Sequence, residues 1–188
     1  MEANLSARPR YIIDPEVSRF TVQAFAGGML SALGHNPKFV ARDFTGEVSF
    51  DLDAPEEASL RMTMPAASLT LVDDVSDSDR RTIERTMHDQ VLEDSRFPEI
   101  IYDCASAAAR PIGSGQFKVA LNGQLTLHGV TFPQAITATL SATGTLLRAS
   151  GEFTVRQTDY NVKPVTIAGS MLKVKDELKC TFDISARR

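Results

Sequence analysis

The chain has 188 residues, 43% of them hydrophobic, and a formal net charge of −4. That length fits one domain, and the mild acidity gives no general attraction to nucleic acid or anionic membrane, so neither is an expected partner. No stretch approaches the roughly 20 apolar residues of a membrane helix, and Met1 to Pro9 carry no apolar run of signal-peptide length; no stable membrane insertion is expected, and the expected compartment is the cytoplasm.

Residues 1–10 read as a loose tail, and one domain is expected over 11–188. Tyr11 to Asp14 is a short strand, and Asp14 before Pro15 fits an Asx-type turn. Val17 to Phe25 follows as a longer strand, with Phe20, Val22 and Ala24 on one face and Arg19, Thr21 and Gln23 on the other. Ala26 to Pro37, small and apolar with several glycines, predicts a short helix or a compact loop at a barrel mouth. Alternation resumes at Lys38 to Ala41 and is strict in Phe44 to Leu52, where every even position but Gly46 is apolar and every odd one polar. A turn at Asp53 to Glu57 leads into strands Ser59 to Met64 and Leu69 to Val72.

One helix is predicted near residues 78–91. Asp77 or Ser78 can cap a segment Asp79 to Gln90 in which Ile83, Met87 and Val91 recur at i, i+4 and i+8, while Arg80, Arg81, Glu84, Arg85 and Asp89 face water. Beyond it come strands at Glu99 to Ala105, Phe117 to Leu127 (with a bulge or bend at Gly123), Gln134 to Ala142, Leu146 to Gln157 and Leu172 to Ala186. Each strand has one apolar and one polar face, and such strands must bury their apolar faces together. The expected fold is therefore all-β: a single antiparallel barrel of about eight strands, its helix covering one end.

No catalytic signature is present: no phosphate loop, no His-Glu-x-x-His, no Cys-x-x-Cys and no Gly-x-Ser-x-Gly. Cys104 and Cys180 lie at apolar parity and are expected as buried free thiols. The three histidines, His35, His88 and His128, fall at loops or element ends where a barrel mouth could gather them, yet they lack ligand spacing. His35 suits a turn, and His88 and His128 are expected on wet faces. No metal or cofactor is expected.

Several short segments, in order, resemble the YceI-like family of lipocalin-like barrels that bind polyisoprenoids and other long-chain lipids. They are Tyr11-Ile12-Ile13-Asp14-Pro15-Glu16-Val17-Ser18, Phe44-Thr45-Gly46-Glu47-Val48, Val91-Leu92 followed by Phe97-Pro98-Glu99-Ile100, Gly123 to Thr131, and Arg156-Gln157-Thr158-Asp159-Tyr160-Asn161-Val162. The resemblance covers most of the chain and implies an elongated barrel around an apolar tunnel, a homodimer, and no assigned enzymatic activity. Two departures are expected: no signal peptide of the kind many relatives carry, and the Ala26 to Pro37 insert, which is unlike the simplest members.

A barrel with an empty apolar interior forfeits packing energy, so it should hold a ligand or water or be filled by its own side chains. Apolar parity nominates Phe20, Val22, Phe50, Met62, Met64, Tyr102, Leu140, Phe153 and Phe182 for the lining, with Met87 and Leu92 near the lid. Met29, Met62, Met64 and Met87 suit a flexible acyl or prenyl chain, and equally suit an ordinary core. Three readings follow. The first is binding, storage or transport of a long apolar molecule, whether a polyisoprenoid, a quinone or a fatty-acid derivative. The second is a metal-dependent or acid-base enzyme built on His35, His88 and His128, and the third is an interaction module with a filled barrel.

Overall fold

A computed structural model of the protein describes residues 8–27, 36–166 and 173–188. The alternating stretches form strands β1 (Arg10–Ile13), β2 (Arg19–Gln23), β3 (Ala26–Gly27), β4 (Lys38–Ala41), β5 (Thr45–Ser49), β6 (Ala58–Pro65) and β7 (Leu69–Leu71). After the helix come β8 (Glu99–Gly113), β9 (Gln116–Leu127), β10 (Val130–Thr143), β11 (Leu146–Arg156), β12 (Lys173–Val174) and β13 (Glu177–Arg187). β1, β5, β6, β8, β9, β10, β11 and β13 pair antiparallel in that order, and the ring closes where Ile12 meets Arg187 and Ile13 meets Ala186. This is the expected eight-stranded barrel, and closure removes the free edges an open sheet would expose.

The ring is not closed along its whole length. Farther along β13, Lys179 to Asp183 pair with β2 instead of β1, and β4 and β7 continue outward from β2. The first break, between β1 and β2, is built from side chains. The Glu16 N–H donates to Asp14 Oδ1 (3.2 Å), which is the Asx turn expected there. The Ser18 hydroxyl donates to the Asp14 carbonyl (2.6 Å) and accepts from the Ser185 N–H (2.9 Å), so a hydroxyl replaces the ladder partner that the kink removes.

No pairing joins β7 to β8, and helix α1 (Asp77–Thr86) occupies the gap. Its cap is Ser76, one residue before the candidates Asp77 and Ser78; the Ser76 Oγ accepts from the Asp79 N–H at 3.1 Å. Arg80 and Glu84, expected to face water, instead bond the uncovered edge of β7. The Arg80 guanidinium donates to the carbonyls of Leu71 and Asp73, the latter at 2.7 Å, while Glu84 Oε1 accepts the Leu71 N–H at 2.9 Å. An edge without a strand partner needs such substitutes. From Met87 to Leu92 the helix widens to π winding and ends at Glu93, whose backbone is left-handed (φ 46°). The wider turn buries Met87 and Leu92, five residues apart, on one face.

Three strand expectations are corrected. β8 runs on to Gly113 rather than ending at Ala105, because the alanine-rich stretch after Ser106, without alternation of its own, still ladders with β9. The irregularity expected at Gly123 lies on β8, between Asp103 and Ala107, while β9 pairs with β10 straight through Gly123. The last strand is divided into β12, which pairs with β3, and β13. Within the Ala26 to Pro37 segment, residues 28–35 fall outside the described residues, as does most of the expected N-terminal tail.

Glycine at 123 answers a different need. Tyr102 lies across it, and a Cβ there would stand 2.5 Å from Tyr102 Cζ. The Tyr102 hydroxyl accepts from the Gly123 N–H (3.2 Å) and shares its proton between the carbonyls of Gln134 (3.1 Å) and Leu121 (3.3 Å). Replacing Gly123 with Ala should push the ring away and lower stability by about 1–3 kcal/mol. Chemical denaturation measures this; an unchanged midpoint would contradict the close approach.

Candidate ligand-binding site

At the end where β1 closes on β13, the barrel is packed solid. Phe50 meets Phe117 edge-to-face at 5.2 Å, Leu140 stands opposite Phe117, and Leu147 stands opposite Ala186. Phe50 and Leu140 were expected on a cavity lining and are not there. Their parity is inward, as predicted, but parity fixes the face of a strand and not the height along the barrel.

Above this plug lies an inner cavity of about 190 Å³. Phe20, Val22, Met62 and Met64 line it, as do Leu92, Tyr102, Phe153 and Phe182. Register explains the grouping. Phe20 is opposite Phe182, Val22 is opposite Cys180, Cys180 is opposite Phe153, and Met62 is opposite Tyr102. The rings of Phe20 and Phe182 flank Phe153 at centroid distances of 6.2 and 6.4 Å. Leu125, Ile136 and Ile184 also line the cavity and were not nominated for it, although each has inward parity; Cys180, expected as a buried thiol at apolar parity, lines it too. At roughly 24 cal/mol per Å³ of void, an empty space of this size costs about 5 kcal/mol, comparable with the lower range of domain stabilities.

The inner lining carries two side-chain polar groups, the Tyr102 phenol and the Cys180 thiol. The phenol is saturated by the three backbone contacts given above, and burial raises its pKa far above that of free tyrosine. Burial likewise pushes the Cys180 thiol up to about 12. Neither offers a free, strong hydrogen-bonding group to a guest.

A second cavity, about 760 Å³, adjoins the first at the unpaired end; Val22, Leu69, Leu92 and Leu178 line both. α1 and the π turn form one side through Ile83, Met87 and Val91, which puts Met87 at the mouth rather than in the inner chamber. Polar groups gather here: Asp73 and Asp79, Thr82 and Thr86, Gln90, Gln157, Thr166 and Lys173. Gln157 was missed by the sequence reading although it continues the inward parity of Phe153 and Val155. It is 3% exposed. Tyr160, on the same turn, is buried with no hydrogen-bond partner for its hydroxyl among the described residues, and burial pushes its phenol up to about 12.

His88 and His128 are not on wet faces. His128 has a left-handed backbone (φ 51°) in the β9–β10 turn, and its Nε2 lies 2.6 Å from Glu93 Oε2 with the Phe97 ring 4.2 Å away. His88 places Nδ1 2.8 Å from Asp94 Oδ2, without hydrogen-bond alignment. Each imidazole thus has its own carboxylate, and the Glu93–His128 contact ties the end of the π turn to the barrel rim. His35 lies outside the described residues. Among the described residues no three His, Cys, Asp or Glu side chains gather as a metal site. Arg156 pairs at the surface with Asp176 (3.5 Å).

A family model described as the YceI-like domain matches residues 11–186. The chain belongs to the YceI-like family. It is 28% identical over 140 residues to a UPF0312 protein of Pseudomonas fluorescens, covering 71% of this chain and 64% of that protein. A UPF0312 protein of Pseudomonas savastanoi pv. phaseolicola is 30% identical over 140 residues, with 71% and 63% covered. This YceI-like chain therefore matches under two thirds of the length of those curated relatives. In fold it is similar to BcnA of Burkholderia cenocepacia (TM-score 0.70, 19% identity, 92% of this chain and 98% of that one). It is also similar to a polyisoprenoid binding domain from Saccharophagus degradans (TM-score 0.66, 12% identity, 94% and 97%).

Two predictions follow from the YceI-like site. Phe182→Arg would place an unpaired cation in the inner cavity and should cost several kcal/mol or block uptake of an apolar dye. Thr181→Arg, one residue along and facing outward, should change stability by no more than about 0.5 kcal/mol. Thermal melting with dye uptake checks both, and damage from Thr181→Arg alone would mean β13 is turned over. The second concerns the thiols, both free and buried. Denatured protein should titrate two, and native Cys180, protonated at pH 8, should alkylate more than about a thousandfold slower than after denaturation. Rapid native alkylation of Cys180 would contradict its burial.

Proposed function

We propose that this protein binds, stores or transports a long-chain apolar molecule inside its barrel, of the polyisoprenoid, quinone or fatty-acid-derivative class. The observation that carries the reading is the pair of adjoining cavities: a chamber with no free polar side-chain group, opening through shared leucines into a wider, partly polar mouth. A flexible apolar chain would recover the packing that the void forfeits. Family membership supports the reading, as does the fold shared with a structure described as a polyisoprenoid binding domain.

In this reading the protein is a binder and not an enzyme, and the lipid is its only small-molecule partner. The carboxylate partners of His88 and His128 give both imidazoles structural roles, which weighs against the acid-base alternative. A cytoplasmic location is supported by the two free thiols. A homodimer is supported by the exposed Ile12 and Leu146, which flank Arg187 on the outer wall.

Organic extraction of the purified protein followed by mass spectrometry tests the central reading. A long-chain hydrophobe should be recovered near one equivalent, or be taken up when polyprenyl compounds are added. Recovery of none, together with no uptake, would refute it.

A further inference from the structure

Gln157 carries a buried side-chain amide, 3% exposed, and it lines the mouth cavity. Its position is unusual for its parity. Leu147, Ala149, Gly151, Phe153 and Val155 precede it at alternate positions on the inward side of β11, so an amide stands where the pattern calls for an apolar group. The amide is also held in one orientation. Its outer atom lies 2.9 Å from the Lys175 carbonyl and 3.5 Å from that of Asp176; facing two acceptors, that atom must be the nitrogen. The oxygen is thereby left over, with no hydrogen-bond partner among the described residues.

We infer that Gln157 Oε1 is the acceptor that reads the polar end of the ligand, and that the ligand is an uncharged amphiphile whose head carries an O–H or N–H donor, inserted tail first. This rests on the carrier reading above and adds the head chemistry and the orientation to it. Orientation follows from satisfaction of polar groups. A donor pushed into the inner chamber would find only a saturated phenol and a thiol, and an unmet buried donor is costly. At the mouth it finds Gln157. Charge narrows the class further, because a phosphate or carboxylate head would meet Asp73 and Asp79 against the single ammonium of Lys173 in the mouth lining.

The test is a series of three probes on one C20 prenyl chain: geranylgeraniol, its methyl ether and its monophosphate, each measured by tryptophan-free competition against an apolar fluorescent dye. The alcohol should bind about tenfold more tightly than the ether, as one net hydrogen bond implies, and the phosphate should bind no better than the ether. Gln157→Met keeps the side chain's length and should remove the alcohol-to-ether difference while leaving the ether's affinity within about threefold; the ratio on one variant is independent of that variant's stability. If Gln157→Met does not fold, Gln157→Asn, which withdraws the amide by one methylene, takes its place with the same expectation. Equal affinity for alcohol and ether in the parent protein, a difference that survives substitution, or tightest binding of the phosphate would each overturn the inference. Failure to bind any of the three would count against the carrier reading itself, and the inference would fall with it.

Discussion

The architecture depends on how one backbone edge is shared. β13 offers its hydrogen bonds on one side to β11 along its whole length, but on the other side to two strands in succession, β1 near Ala186 and β2 from Asp183 to Lys179. Backbone groups must be paired when buried, so the chain between β1 and β2 has to kink, and Ser18 supplies the bonds lost there. The strands that follow β2, β4 and then β7, continue the wall at that end without reaching β8. The barrel is consequently closed and packed at one end and unsealed at the other.

That asymmetry positions the site. At the unsealed end β7 has no strand neighbour toward β8, and the helix covers the gap with side chains rather than with a ladder: Arg80 and Glu84 on the Leu71 backbone, Met87 and Leu92 toward the interior. At the far end of this cover, π winding leads to two left-handed residues, Glu93 and His128, whose side chains join and fix the helix end to the barrel rim. A lining that is apolar inside and mixed at the mouth follows from the same division, since only the mouth is built from loop and helix residues with polar side chains to spare.

The period-two pattern made most of the fold legible. It placed Val22, Phe153 and Phe182 on the inward face, and their register partners confirm that one face is shared. It could not supply height along the barrel, which is why Phe50 and Leu140, with the same parity, turned out to belong to the plug. β8 after Ala105 was missed because alanines alternate with nothing, so only the partner strand defines them. The roles of Arg80 and Glu84 were hidden because a charged residue bonding an exposed strand edge looks, in sequence, like one facing water. Gln157 was legible in principle, as a polar residue at inward parity, but was obscured by the polar run Arg156 to Asp159 around it.

The central claim is that an apolar chain occupies the inner chamber and extends to the mouth beneath the helix. Methionine methyl NMR tests it most directly, because Met62 and Met64 line the chamber and Met87 lines the mouth. Addition of a prenyl alcohol should shift all three methyl resonances and give intermolecular contacts from the chain's tail to Met62 and Met64 and from its head-proximal carbons to Met87. Contacts confined to Met87, or none to any of the three, would contradict the account.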